Sequence, residues 1–139
     1  MRKITYVKAA TLASLVVAAS GVAVAPAQAE LQPLATCPAS HFCLFENKDF
    51  GGGMKVYANG ESDSDMRDTH YNNGHVVNDT SSSMINHSGH SIVLYRDINS
   101  HVICYIASAN SEDTSFNNNT CTQDKTKGVN DNISSSAVG

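Results

Sequence analysis

The 139-residue chain has almost no apolar pattern of helical period and only one long apolar run. In place of helical patterns it has short runs that are rich in β-branched and aromatic residues, such as residues 91–95 and 101–106. Turn-forming residues bound these runs, as they bound strands. The missing helical period excludes a helical bundle, and the short runs predict an all-β protein.

Cations are scarce once the first 29 residues are set aside. Arg2, Lys3 and Lys8 precede the apolar run at residues 9–25, which leads to Ala-Gln-Ala at residues 27–29. This order is typical of a secretory signal peptide, so we expect residues 1–29 to be removed on secretion. A membrane anchor is the alternative, but the run is rich in Ala, Ser and Thr, and no other apolar stretch approaches spanning length.

The expected mature chain, residues 30–139, carries six Lys and Arg against 13 Asp and Glu, a formal charge of −7. Phosphate binding needs clustered cations, so this acidity argues against nucleic acid and against an anionic membrane as partners. The length suits one small domain, which we expect to be secreted, extracellular and monomeric.

Motifs of hydrolytic enzymes are absent. The chain has no Gly-x-Ser-x-Gly elbow and no HExxH helix, so its many Ser, His and Asp residues do not indicate catalysis. Six histidines would suit zinc, but His87 and His90 lie in a turn-like segment and are expected to be exposed polar residues. We predict that the protein is not an enzyme.

Four cysteines compensate for the small size of the domain. An even number of cysteines in an exported chain indicates disulfides. Of the three possible pairings we expect the local one, Cys37 with Cys43 and Cys104 with Cys121, which keeps one bridge in each of two similar units. Zinc-binding thiolates are the rival interpretation, but neither pair has the close CxxC spacing of structural zinc sites.

The two similar units follow one another along the chain. Phe45 and Tyr95 are 50 residues apart, and the serine-rich residues 78–83 resemble residues 131–136 at an offset of 53. Each unit is predicted to contain two strands, a long polar loop and a serine-rich segment that runs into another strand. A long connection that returns to the sheet is what a Greek key requires.

The first unit has a glycine-rich corner at residues 51–53 between two strands. Glycine there lets the backbone fold over, so that Phe50 can pack on Phe45. An ordinary glycine-containing hairpin loop is the alternative. The repeat favours the folded corner.

This arrangement resembles the βγ-crystallin fold, in which two Greek-key motifs pack as a small sandwich. In that family each motif has an aromatic residue, a glycine seven positions later and a serine that clamps the folded hairpin. Phe45, Gly52 and residues 81–83 match this pattern. The resemblance implies one domain at residues 30–139, with its first Greek key at about 37–89 and its second at about 90–139.

The second unit departs from the pattern. Tyr95 is present and residues 134–136 supply a serine clamp, but Val102 stands at the glycine position and Ser100 at the position of the second aromatic residue. The pattern therefore predicts a folded hairpin for the first unit more firmly than for the second.

The start of the mature domain is similar to that of secreted bacterial metalloproteinase inhibitors built on this fold. The matching stretch is residues 37–46, Cys-Pro-Ala-Ser-His-Phe-Cys-Leu-Phe-Glu, which continues into a corner of the type FENKDFGG. This resemblance implies an inhibitor of an extracellular proteinase, with a metalloproteinase as the expected target. The alternatives are a calcium-binding structural or stress protein and a small secreted antimicrobial or toxin-like protein.

An inhibitor of this kind would bind through an exposed loop that is already rigid, because ordering a loop on binding costs affinity. Residues 110–120, enclosed by Cys104 and Cys121, are the first choice for this contact loop, ahead of residues 61–68. Phe116 would be its apolar anchor, and Glu112 or Asp113 could approach an active-site metal.

Microbial βγ-crystallins bind calcium through segments of the pattern [N/D][N/D]xx[S/T]S, one from each motif. Residues 78–83 and 131–136 both fit, and their oxygens are the ligands that calcium prefers. The alternative is that these side chains only cap turns. The ligands that the resemblance implies are Asn78, Asp79, Thr80 and Ser82, then Asp131, Asn132, Ile133 and Ser135, with the carbonyls of Glu46 and Arg96.

Overall fold

The computed structural model describes residues 36–139, so the expected signal peptide lies outside the described residues. This part of the chain forms short strands and two single-turn 3-10 helices, at Met66–Asp68 and Phe116–Asn118. None of its helices has the length and apolar character to cross a membrane. The strands are β1 Phe42–Phe45, β2 Met54–Tyr57, β3 Ser83–Asn86, β4 Ile92–Asp97, β5 His101–Ala107, β6 Ser111–Asp113 and β7 Ser135–Val138.

The strands form two antiparallel sheets, in the orders β2-β1-β3-β6 and β5-β4-β7. Strand β6 comes from the second unit but pairs with β3 of the first. In return Asp63 of the first unit forms a bridge with Ser136 of β7, with N–H···O distances of 2.9 and 2.7 Å. Each unit therefore contributes a segment to the sheet of the other, and the predicted all-β class with two Greek keys is confirmed.

Strand β1 is buried on both faces because the two sides of its pleat face different apolar clusters. Phe42 and Leu44 belong to the main core, which includes both 3-10 helix residues Met66 and Phe116. Phe45 lies on the other face in a smaller cluster. The two disulfides have the predicted local pairing. Cys37–Cys43 lies in the smaller cluster and Cys104–Cys121 lies in the main core.

The first folded hairpin has the predicted form. Phe50 turns back onto Phe45 with ring centroids 5.4 Å apart, and Gly52 has a φ of 71°. A Cβ on Gly52 would lie 2.7 Å from the Asn47 side-chain nitrogen and 3.1 Å from the Glu46 Cβ, so the corner favours glycine there. The buried Ser83 hydroxyl donates to the Asn47 carbonyl at 2.6 Å and accepts the Phe50 N–H at 3.2 Å, which clamps the corner.

The second unit forms the same folded hairpin although it lacks the glycine. Asn99, Ser100 and Val102 have φ values of 57°, 59° and 59°, like the residues of the first corner. The buried Ser135 hydroxyl donates to the Asp97 carbonyl at 2.6 Å and accepts the Ser100 N–H at 3.2 Å. A β-branched residue in the left-handed region is strained, so the serine clamp and the strand pairing hold Val102 in an unfavourable conformation.

Replacing Val102 by Gly should stabilise the protein. The left-handed conformation costs a residue with a Cβ about 1–2 kcal/mol. Glycine loses more conformational entropy on folding, which offsets roughly half of this relief, so we expect the free energy of unfolding to rise by about 0.5–1 kcal/mol. Chemical denaturation of the two proteins measures the difference. The reverse change, Gly52→Val, is the matched control and should destabilise, whereas an unchanged or lower stability of Val102→Gly would contradict a strained corner.

Candidate functional site

The two Asn-Asp segments meet each other across the interface between the units. The Asp79 N–H donates to the Ile133 carbonyl at 2.9 Å, and the Asp131 N–H donates to the Ser81 carbonyl at 3.2 Å. We call residues 78–82 and 130–134 the paired segments. Each reaches the other through both backbone and side chains, so any ligand bound there would contact both units.

The paired segments show that the second unit is shifted by one residue from the predicted register. Asp79 and Asp131 have φ values of 54° and 55°, and the preceding Asn78 and Asn130 each donate to their carboxylates at 2.7 Å. These residues are therefore equivalent, and the offset is 52 rather than 53. The prediction of residues 131–136 as the second segment is wrong, and the equivalent segment is residues 130–135.

The corrected register changes which residues of the second segment are equivalent to the predicted ligands of the first. Ile133 is buried and its carbonyl already accepts a hydrogen bond, and Ser135 is the clamp of the second hairpin. Their assignments as calcium ligands stay predictions, but the corrected register favours other residues of the second segment. Asn130 takes the first position of the segment, and Ser134 takes the position of Ser82.

The serines of the paired segments bond to the carboxylates of the opposite unit. The Ser134 hydroxyl donates to Asp79 Oδ1 at 3.0 Å, and the Ser82 hydroxyl hydrogen-bonds to the Asp131 carboxylate. Partial desolvation of the Asp131 carboxylate raises its pKa, and the neighbouring Asp79 carboxylate raises it further. The site therefore concentrates negative charge.

Two buried oxygens of the paired segments have no hydrogen-bond donor within the described part of the chain. They are Asn78 Oδ1 and Asn130 Oδ1, the equivalent atoms of the two units. Buried polar atoms are nearly always satisfied, so a matched pair of exceptions suggests a missing partner that supplies positive charge or protons. Amide, carboxylate, hydroxyl and carbonyl oxygens together form a donor set that fits calcium.

The remaining predicted ligands lie beside the paired segments. The carbonyls of Phe45 and Tyr95 accept the N–H groups of Ser82 and Ser134, both at 2.9 Å, which places the next residues, Glu46 and Arg96, near the two segments. Thr80 and Asn132 occupy equivalent third positions, where each could offer a carbonyl. Within residues 36–139 no cluster of three or more His, Cys, Asp or Glu side chains could hold a metal ion.

The predicted contact loop has its main side chain in the core. Phe116 is fully buried, its ring centroid lies 5.2 Å from that of Tyr105, and its N–H donates to the Ser82 carbonyl at 2.8 Å. Met66 makes the equivalent contact in the first unit, with its N–H on the Ser134 carbonyl at 3.0 Å. Phe116 as an exposed anchor is therefore a wrong prediction.

The two acidic residues of that loop differ in their surroundings. Asp113 accepts hydrogen bonds from the Tyr105 hydroxyl at 3.0 Å, the Asn119 amide at 2.6 Å and the Ser115 N–H at 2.9 Å, which hold the loop against the core. Burial raises the pKa of Tyr105, and the Asp113 carboxylate raises it further, so this hydroxyl stays a donor. Glu112 is exposed on the edge strand β6, so its assignment as a metal contact stays a prediction.

Comparisons with known proteins place these features in a wider context. A family model described as peptidase inhibitor family I36 matches residues 32–105. A structure that concerns the evolution of the eye lens βγ-crystallin domain fold is similar with a TM-score of 0.58 at 18% identity, over 77% of this chain and 93% of that one. A βγ-crystallin from Ciona intestinalis is similar with a TM-score of 0.53 at 24% identity, over 71% of this chain and 99% of that one.

The two crystallin structures support the fold alone, because both identities are low. A search of curated protein sequences finds no significant match.

Proposed function

Because this chain belongs to peptidase inhibitor family I36, we propose that it is a secreted protein that inhibits an extracellular proteinase by binding to it. The match over residues 32–105, which includes the first unit and most of β5, carries this proposal. Two disulfides suit an oxidising compartment outside the cytosol. The protein would act as a rigid ligand and not as a catalyst.

The structure also suits an inhibitor physically. A loop that is held in place before binding does not lose conformational entropy in the complex. The two long connections, residues 58–82 and 114–134, are held in place by hydrogen bonds, and the Asp63 and Asp113 carboxylates accept three each. The expectation of a metalloproteinase target rests on the sequence resemblance. Of the two acidic residues assigned to a metal contact, Asp113 is bonded within its own loop and Glu112 is exposed on the edge strand β6.

A panel of secreted proteinases tests the proposal. Purified residues 30–139 are titrated against a metalloproteinase of the thermolysin type, serine proteinases of trypsin and subtilisin type, and a cysteine proteinase. We expect loss of activity of at least one class at near-equimolar inhibitor. Reduced and alkylated protein is the control and should lose potency, because the disulfides hold the fold. Full activity of every proteinase in a large excess of the folded protein would contradict the proposal.

A second candidate function, calcium binding, is favoured by the two unsatisfied buried oxygens. We propose that one cation contacts Asn78 and Asp79 with Ser134, and that another contacts Asn130 and Asp131 with Ser82. The carbonyls of Thr80, Asn132, Glu46 and Arg96 are the remaining candidate donors. A bound cation would neutralise the two carboxylates and join the two units.

Calcium should raise the melting temperature of the protein. A ligand that binds only the folded state adds about 2.7 kcal/mol of stability when its concentration is 100 times Kd. Differential scanning calorimetry in millimolar calcium and in chelator measures the rise. Ser82→Ala and Ser134→Ala should each reduce the calcium-dependent part.

Ser135→Ala is the matched control for this experiment. It removes the clamp of the second hairpin and should lower stability equally with calcium and with chelator. An identical melting temperature of the wild type in the two buffers would remove the calcium proposal and leave the paired segments as turn caps.

A further inference from the structure

Two Asn-Gly pairs lie in exposed turns of the first long connection, at residues 59–60 and 73–74. An asparagine followed by glycine can lose ammonia without an enzyme, because glycine has no side chain that keeps its backbone nitrogen away from the asparagine side chain. The two pairs are identical as sequence. Their hydrogen bonds in the structure differ, and this difference decides which pair reacts.

The first pair is not held in place by hydrogen bonds of its own. The Glu61 N–H donates to the Ala58 carbonyl at 3.0 Å, which closes a turn with Asn59 and Gly60 at its centre. Both central residues are exposed. In the described part of the chain, neither the Asn59 side chain nor the Gly60 N–H forms a hydrogen bond. The two groups that have to meet in the reaction are therefore unrestrained.

The second pair is held by three hydrogen bonds. Asn73 Nδ2 donates to Glu46 Oε2 at 2.7 Å, and Asn73 Oδ1 accepts the His75 N–H at 3.1 Å. The Gly74 N–H donates to the Tyr71 carbonyl at 3.0 Å. The amide that would be lost and the nitrogen that would attack are thus both bonded already. A Cβ on either glycine would meet no atom within 4 Å, so the pairs differ in hydrogen bonding and not in crowding.

We infer that Asn59 is a site of spontaneous deamidation and that the structure protects Asn73 from the same reaction. The Gly60 backbone nitrogen attacks the side-chain carbonyl carbon of Asn59 and forms a carbon–nitrogen bond. The bond from that carbon to the amide nitrogen breaks, and the amide nitrogen leaves as ammonia with the proton that the Gly60 nitrogen gave up. Water then opens the cyclic imide at one of its two carbonyls, which yields aspartate or isoaspartate.

The reaction changes the start of the first long connection. It adds a negative charge near Glu61, whose carboxylate accepts the Ala58 N–H at 2.7 Å. Isoaspartate also lengthens the main chain by a methylene group, so the turn that positions Glu61 has to change. This turn precedes Asp63, which forms the bridge to Ser136 of β7. The modification therefore lies next to a contact between the two units, and it does not depend on the proposed inhibitory function.

The test measures the rates of both deamidations in the folded and the unfolded protein. Purified residues 30–139 are incubated at mildly alkaline pH, and peptide mass spectrometry follows the loss of each asparagine. In the folded protein Asn59 should react at least about tenfold faster than Asn73, because one hydrogen bond to a charged group changes a rate by about that factor. In concentrated urea with reductant the two rates should become similar. Asn59→Gln should remove the main acidic product on anion exchange.

Glu46→Ala tests the protection of Asn73 directly. It removes the acceptor of the Asn73 amide, so Asn73 should react faster while the rate at Asn59 stays unchanged. An unchanged Asn59 rate also shows that the variant is folded, and circular dichroism checks this independently. Equal rates of the two sites in the folded wild type, or a faster reaction of Asn73, would overturn the inference. So would a stable Asn59 in the folded protein under conditions in which the unfolded chain reacts.

Discussion

Replacing Phe116 by Ala should lower the free energy of unfolding by about 3–5 kcal/mol, the usual cost of removing a fully buried aromatic ring. Phe116 is completely buried, contacts the Tyr105 ring and lies in the main core with residues of both sheets. The surrounding core cannot close fully around the cavity, because the Phe116 N–H also donates a hydrogen bond to the Ser82 carbonyl and holds the 3-10 helix in place. Urea denaturation of the wild type and the variant measures the loss.

Ile106→Ala is the control for this prediction. Ile106 is a large apolar residue of the same region but is 49% exposed, so its truncation should cost less than about 1 kcal/mol. A similarly small effect of Phe116→Ala would mean that the ring is accessible, as the sequence had suggested, and would contradict the buried position.

Removing the Cys104–Cys121 disulfide should destabilise the protein by about 3 kcal/mol. Cross-linking residues 17 positions apart restricts the unfolded chain, and the chain-entropy model assigns about this value to a loop of that size. The double variant Cys104→Ala with Cys121→Ala, studied by thermal denaturation without reductant, measures the loss.

The Cys37–Cys43 disulfide provides the comparison. Its partners are only six positions apart, so the same model predicts a smaller loss of about 2 kcal/mol. It lies far from residues 122–127 in sequence, and its removal should leave the conformation of those residues intact. A larger loss from Cys37–Cys43 than from Cys104–Cys121 would contradict the entropic account of these bridges.

The fold was predictable because the repeated sequence pattern reflects a specific backbone conformation. The spacing of Phe45 and Gly52 indicates a folded corner, which only a few backbone conformations allow. The four cysteines, in local pairs, indicate two units of similar size. The structure confirms the two Greek keys and the disulfides. The second hairpin was harder to predict, because strand pairing and the Ser135 clamp override the local preference of Val102.

The register error has a simple cause. Three consecutive serines in each unit allow the segments to be aligned with an offset of 52 or 53, and composition does not distinguish the two. A signal was nevertheless present, because the tripeptide Val-Asn-Asp occurs at residues 77–79 and again at residues 129–131. Val77 and Val129 are both fully buried, so this tripeptide marks the correct register.

The burial of Phe116 could also have been inferred from the repeat. The offset of 50 that relates Phe45 to Tyr95 also relates Met66 to Phe116, and apolar residues at equivalent positions suggest a common place in the core. The conformation of residues 122–127 could not be read from the sequence, because it depends on the contact of Asp124 with Arg96, which is 28 positions away.

The most direct test of the proposed inhibitory function is a calorimetric titration of residues 30–139 into a proteinase that the protein inhibits. The proteinase is used in two forms. One form has a free active site and the other has its active site blocked by a small covalent inhibitor. If the protein inhibits by occupying the active-site cleft, we expect saturable one-to-one binding to the free proteinase and no binding to the blocked one. Equal binding to both forms, or no binding to either, would contradict it.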